Sequence, residues 1–231
     1  EGARIWWPNK DHITAEGDSV RMAYTVPSNM VAVGNGKLKS VVNNGDKSTY
    51  EWFVSNPINN YNISVQIGNY VAVQDTFVKA DSTYNFNHYV LDYNKELASN
   101  YFSQSKEVIR FYEKYFGDYQ WYEDGYKLIE VPYLGMEHQS AVTYGNGFSI
   151  YNGVRSKSWP MYGVIDPLII HETGHEWFGN SVTASDPTHI WIHEGLQVYS
   201  EAIYFEDKFK SYEVGVHYLN TLKNRIVNEI P

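Results

Sequence analysis

The residues with the clearest chemical purpose in this sequence are His171, Glu172 and His175, in the run His-Glu-Thr-Gly-His, with Glu194 following after eighteen intervening residues. Positions four apart share one face of a helix, so the two imidazoles offer their nitrogens side by side to a single metal ion. Glu172, next to the first of them, is set to take a proton from a water bound at that ion. A catalytic zinc site commonly keeps three protein ligands and one open position. Glu194, in the segment Trp191-Ile192-His193-Glu194-Gly195-Leu196, supplies the third ligand if it opens a second helix laid against the first. A His-Glu-x-x-His match arises by chance in roughly one chain in a hundred of this composition, and the spaced Glu lowers those odds. The chemistry is that of a zinc hydrolase. Because the chain has no cysteine, the Zn2+ must be held by imidazole and carboxylate alone.

The elements that must position these groups are legible from periodicity. Residues 1 to about 75 form an antiparallel, all-β piece, with short strands at Ser19–Val26, Met30–Val33, Lys37–Val42, Ser48–Val54 and Asn62–Ile67. Turn chemistry separates them at Gly34–Gly36 and Asn43–Asp46. The texture changes near Val73. After an extended stretch at Tyr84–Leu91, helical spacing of apolar residues predicts one helix over Asn94–Phe116, stopped by Gly117. Strands are expected at Tyr126–Val131 and Ser140–Tyr144. Asp166-Pro167 opens the metal-motif helix as N-cap and first-turn Pro, and Gly179-Asn180 ends it, with Trp177 and Phe178 as its grip on the core. Two further helices follow, from about Ile190 to Asp207 and from Ser211 to Asn228. Glu201 lies two turns after Glu194 on the same face, placed to accept the outer N–H of a ligating histidine. The fold class is α+β.

Composition narrows the partners. The 231 residues are 43% hydrophobic, enough for a sizeable core. The net charge of −9, from 27 acidic and 18 basic residues without a Lys/Arg run, excludes nucleic acid as the expected partner and suits cationic ligands. No apolar run is long enough to span a bilayer. The compartment stays open.

Three patches together resemble the aminopeptidase N family of zinc peptidases: Ala3-Arg4 with Trp7-Pro8 and Asp11; Gly135-Met136-Glu137; and His171 through Asn180 followed by Trp191-Ile192-His193-Glu194-Gly195. The resemblance implies that residues 1–75 are the C-terminal part of that family's all-β domain and that 76–231 are part of its thermolysin-like catalytic domain. It implies His171, His175 and Glu194 as zinc ligands, Glu172 as the base that activates the zinc-bound water, and Gly135, Met136 and Glu137 as substrate-binding residues. Glu137 would anchor the free α-ammonium of a peptide, which confines cleavage to the first peptide bond. Two positions of the Gly-x-Met-Glu-Asn pattern differ, with Leu134 for the first Gly and His138 for the Asn. His193 likewise stands where the family has Asn. The family's oxyanion-stabilising Tyr is expected beyond Pro231, in a longer protein of which this chain looks like a piece. Tyr199, Tyr204, Tyr212 and Tyr218 are expected at packing positions instead.

The leading expectation is a zinc aminopeptidase acting on peptides with a free N-terminus. A gluzincin endopeptidase and a catalytically silent peptide-binding module are the competing readings. Glu137 separates the first two, and Glu172 separates both from the third.

Overall fold

A computed structural model describes residues 3–148 and 165–223. Before the helices, its strands of four or more residues are β1 (Val20–Pro27), β2 (Val31–Gly34), β3 (Lys37–Asn44), β4 (Lys47–Val54), β5 (Val65–Gly68), β6 (Tyr70–Val73), β7 (Thr76–Lys79), β8 (Ser82–Asn85) and β9 (His88–Leu91). Helices α1 (Lys95–Phe102) and α2 (Gln104–Phe116) come next, then β10 (Leu128–Glu130), β11 (Gly135–Met136) and β12 (Val142–Tyr144). Helices α3 (Pro167–Gly174), α4 (Trp191–Phe209) and α5 (Tyr212–Leu222) complete the described part. The α+β class expected from the sequence is what is found.

The upstream strands pair antiparallel, β1 and β3 flanking β4, and β2 against β5. The β3–β4 hairpin turns at Gly45-Asp46, where Gly45 takes a φ of 64° that side chains resist. A mixed five-stranded sheet, in the order β11-β12-β10-β9-β6, carries the rest: β9, β10 and β12 run parallel, and the edge strands β6 and β11 run antiparallel to their neighbours. Buried aromatic and aliphatic side chains, among them Phe86, Tyr101, Phe102, Ile109, Tyr112 and Phe205, form the core between this sheet and the helices. A second core, around Trp52, Val54 and Ile58, fills the upstream β part and reaches Ile129 of β10 and Ala141 just before β12.

Two helix boundaries differ from expectation. The single helix over Asn94–Phe116 is divided at Ser103, where Ser103 Oγ donates to Asn100 O at 2.6 Å and Gln104 Nε2 to Tyr101 O at 2.9 Å. Side chains that bond back to carbonyls compete with the helical ladder at that point. The metal-motif helix ends at Gly174 rather than at Gly179-Asn180. Beyond it the chain widens into i to i−5 bonds, Asn180 N to His175 O at 2.9 Å and Val182 N to Trp177 O at 2.9 Å, and Gly179 adopts a φ of 135°. The last residues of the expected Ser211–Asn228 helix lie outside the described residues.

His88 gives the fold a pH dependence. Its buried Nδ1 accepts the Leu128 backbone N–H at 3.0 Å, tying β9 to the start of β10. Burial, partly opposed by Asp75, holds its pKa down to about 3. The unfolded chain therefore binds a proton below about pH 6.5 that the folded chain refuses, and stability falls as pH drops from there towards 3. Urea midpoints should show the wild type losing about 1.4 kcal/mol per pH unit more than His88→Asn, which keeps an acceptor and does not titrate. Equal slopes would mean that His88 ionises freely in the fold.

Candidate metal centre

Helix α3 starts where its N-cap demands. Asp166 is fully buried, its carboxylate accepting the Leu168 N–H at 2.9 Å, the Tyr144 hydroxyl at 2.7 Å, the Asn146 amide at 3.0 Å and the Tyr101 hydroxyl. So fixed, α3 presents His171 and His175 on one face, with their Nε2 atoms 3.2 Å apart. Each Nδ1 is committed elsewhere. That of His171 lies 2.6 Å from Glu201 Oε1, and that of His175 lies 2.8 Å from the Phe178 carbonyl. Since both acceptors require an N–H, both Nε2 lone pairs are turned towards one point.

Helix α4 brings Glu194 to the same point, its Oε2 lying 3.6 Å from His171 Nε2 and 3.8 Å from His175 Nε2. Ligands on a tetrahedral zinc at about 2.0–2.2 Å are about 3.3–3.5 Å from one another, so the three atoms fit the ion to within a few tenths of an ångström. Glu194 is exposed, and Trp191, Leu196 and Tyr199 beside it on α4 are exposed too. The centre therefore opens on that face of α4.

The electrostatics follow from crowding acids and bases in a buried place. Burial raises Glu172 to about 8, the charge of His171 opposing and those of Glu137 and Glu194 adding. Burial works against protonation of His171, but the bond to Glu201 and the surrounding carboxylates push it up to about 9. His175 is held down to about 4 by burial and by the positive charge of His171. A divalent cation at the shared point would hold both imidazoles neutral and Glu172 ionised.

The remaining residues singled out in the sequence gather here. Gly135 and Met136 form β11, and Glu137 follows. A Cβ on Gly135 would stand 2.7 Å from Glu172 Oε1, so glycine is what lets the helix carboxylate approach the strand. Glu137, Glu172 and His175 each place a ligand atom within 4.8 Å of the others. Beyond Glu137 opens a cavity of about 420 Å³, lined by Met136, Tyr61, His193, Ile190 and Ile13 among others. Its rim carries the Arg4–Asp11 ion pair at 2.6 Å. His193 uses Nε2 to accept the Ala184 N–H at 2.9 Å and stacks on Tyr61, while His138 is directed to no metal cluster among the described residues.

Sequence reasoning missed several supports. Glu176, fully buried, accepts the Ser140 N–H at 2.7 Å, and Asn180 donates to the Glu137 carbonyl at 2.9 Å, so the turn after α3 holds the Glu137 loop. Asn62 donates to Asn180 Oδ1 at 2.6 Å from the upstream β part, a pairing across 118 residues that no local pattern announces. Tyr218 is buried as expected but also donates its hydroxyl to Glu201 Oε2. Tyr204 is buried, whereas Tyr199 and Tyr212 are exposed rather than packed. For Glu176 the signal was available: an acidic residue one step after a ligand and directly before Trp177 and Phe178 needs buried partners.

The sequence profile of the peptidase family M1 domain matches residues 101–229. The chain belongs to peptidase family M1. Among curated relatives, the chain is 30% identical over 123 residues to endoplasmic reticulum aminopeptidase 2 of Homo sapiens, covering 50% of this chain and 12% of that protein. It is 22% identical over 225 residues to probable aminopeptidase 2 of Sulfurisphaera tokodaii, covering 95% of this chain and 27% of that one. The crystal structure of an M1 zinc metallopeptidase from Deinococcus radiodurans shares the fold, with a TM-score of 0.78 at 18% identity over 97% of this chain and 48% of that one. The M1 chain described here thus spans half or less of the length of these relatives.

Proposed function

We propose that this chain carries the metal centre and the amine anchor of a zinc aminopeptidase, which removes N-terminal residues from peptides. The observation that carries this reading is Glu137, whose carboxylate stands within 4.8 Å of both Glu172 and His175. A half-buried acid beside a metal centre is the counter-charge a free α-ammonium needs, and it sets how much of a peptide passes the reacting point: one residue. An endopeptidase gains nothing from it.

His171, His175 and Glu194 would hold Zn2+, which when bound supplies Lewis acidity to water and to the peptide carbonyl. Glu201, backed by Tyr218, fixes the His171 ring by its bond to Nδ1. Glu172 takes a proton from the attacking water as its oxygen bonds to the carbonyl carbon, and returns that proton to the departing amine nitrogen as the C–N bond breaks. Gly135 and Met136, on an edge strand, face the substrate, and the cavity beyond Glu137 takes its first side chain. The division into a β part at 1–75 and a catalytic part at 76–231 belongs to the same proposal.

Glu137→Ala should lower kcat/KM on free-amine peptides at least about 10-fold, equivalent to about 1.4 kcal/mol or more of transition-state stabilisation. Steady-state kinetics on the zinc-loaded full-length protein measures this. An unchanged kcat/KM would favour an endopeptidase.

A further inference from the structure

The three ligands sit on two helices, so something must fix α3 against α4 to within tenths of an ångström. Where the helices meet, Gly174 of α3 has no side chain, and Gln197 of α4 occupies the space. A methyl group built on Gly174 would collide with both amide atoms of Gln197 and with the Tyr112 hydroxyl. The Gln197 amide nitrogen donates to the Ile170 carbonyl at 3.2 Å and to Tyr112 Oη at 2.8 Å. The Tyr112 hydroxyl, from α2, in turn bonds Ser200 Oγ at 2.7 Å, and Ser200 Oγ donates to the Gln197 carbonyl at 2.6 Å. Gln197 and Tyr112 are completely buried and Ser200 is nearly so, so these bonds have no water to fall back on.

The location matters more than the count of bonds. Ile170 and Gly174, the two α3 residues that Gln197 touches, immediately precede His171 and His175. Gln197 itself lies one helical turn after Glu194, which the i, i+3 relation puts on the adjoining part of the same face. One amide thus meets α3 beside both histidine ligands and α4 beside the carboxylate ligand. Gly174 is the last residue of α3, and there the missing methyl is what admits the amide.

We propose that Gly174 and Gln197 form a matched interlock that sets the spacing of the metal ligands, which makes Gln197 a positioning residue of the centre. The inference rests on the assignment of His171, His175 and Glu194 as ligands. Truncating Gln197 leaves a polar void and frees α4 to shift against α3. Adding a methyl at position 174 forces the amide out. Making both changes puts the methyl into the vacated space, so the two substitutions must compensate rather than add.

The test is a double-substitution cycle in the full-length protein, reading zinc affinity by competition with a chromophoric chelator and the thermal midpoint of the zinc-free form. Gln197→Ala should weaken zinc binding at least about 10-fold, the loss typical of residues that orient ligands. Gly174→Ala should weaken it as much or prevent folding. The Gly174→Ala/Gln197→Ala protein should fold and bind zinc at least about 10-fold more tightly than additivity of the single losses allows, or, where Gly174→Ala alone does not fold, more tightly than Gln197→Ala. Wild-type zinc affinity in Gln197→Ala with only a lowered midpoint would make Gln197 a packing residue and overturn the proposal. Additive losses, or a double variant that fails to fold where Gln197→Ala folds, would overturn it too. His175→Ala, run alongside, keeps the two ideas apart: if it retains zinc the ligand assignment fails, whereas if it loses zinc and the cycle is additive only the interlock fails.

Discussion

Glu172→Gln should leave the zinc content of the full-length protein unchanged and lower kcat by about 100- to 10,000-fold, the range a positioned general base contributes. The amide keeps the size and the approach to Gly135 but has no basic oxygen pair to accept a proton. The carboxylate is well suited to the work. It is buried on α3, one residue from His171, where burial and neighbouring acids raise its proton affinity and a bound cation would lower it again. Metal analysis and turnover on one preparation check the prediction. Zinc loss would mean that Glu172 ligates; near-normal turnover would remove it as the base.

His175→Ala should release the metal. Structural zinc sites with four ligands bind with about 10–16 kcal/mol, so one ligand of such a set is worth about 3–4 kcal/mol, and zinc affinity should fall at least about 100-fold. The loss is expected to be larger here than at an exposed ligand. His175 is buried, and its ring is held by the Phe178 carbonyl in the wide turn that follows α3. Glu194→Ala, at the exposed side of the centre, leaves room for water in the vacated place and should cost less. Equilibrium dialysis against zinc-buffered solutions ranks the two. Equal and small losses would place the ion elsewhere.

Much of the framework was legible because it is local. A strand declares itself over five to eight residues, and an N-cap such as Asp166 declares the start of α3, so most elements were placed within a few residues. The end of α3 was not legible, since Trp177 and Phe178 continue an apolar pattern that a wide i to i−5 turn buries as well as a helix does. The break at Ser103 depends on side chains choosing carbonyls over water, and periodicity carries no trace of that choice. For the centre, spacing alone named His171, Glu172, His175 and Glu194, and the structure brings these four together with Glu137. The supports behind them were hidden for a different reason. Asn62 with Asn180, Glu176 with Ser140, and Gln197 with Gly174 meet only once the chain has folded, and each is a buried polar group whose partner lies far away in sequence or on another helix. Tyr199 and Tyr212 show the opposite failure: aromatic residues on helices invite a packing assignment, yet both face outward.

The most direct measurement follows the products when zinc-loaded full-length protein meets two peptides of one sequence, one with a free amino terminus and one acetylated. Mass spectrometry should show the first residue released from the free peptide and, over the same interval, at least about 10-fold less cleavage of the acetylated one, because Glu137 has no ammonium to hold. Equal cleavage of the two, or cuts at internal bonds, would contradict an aminopeptidase built on this centre.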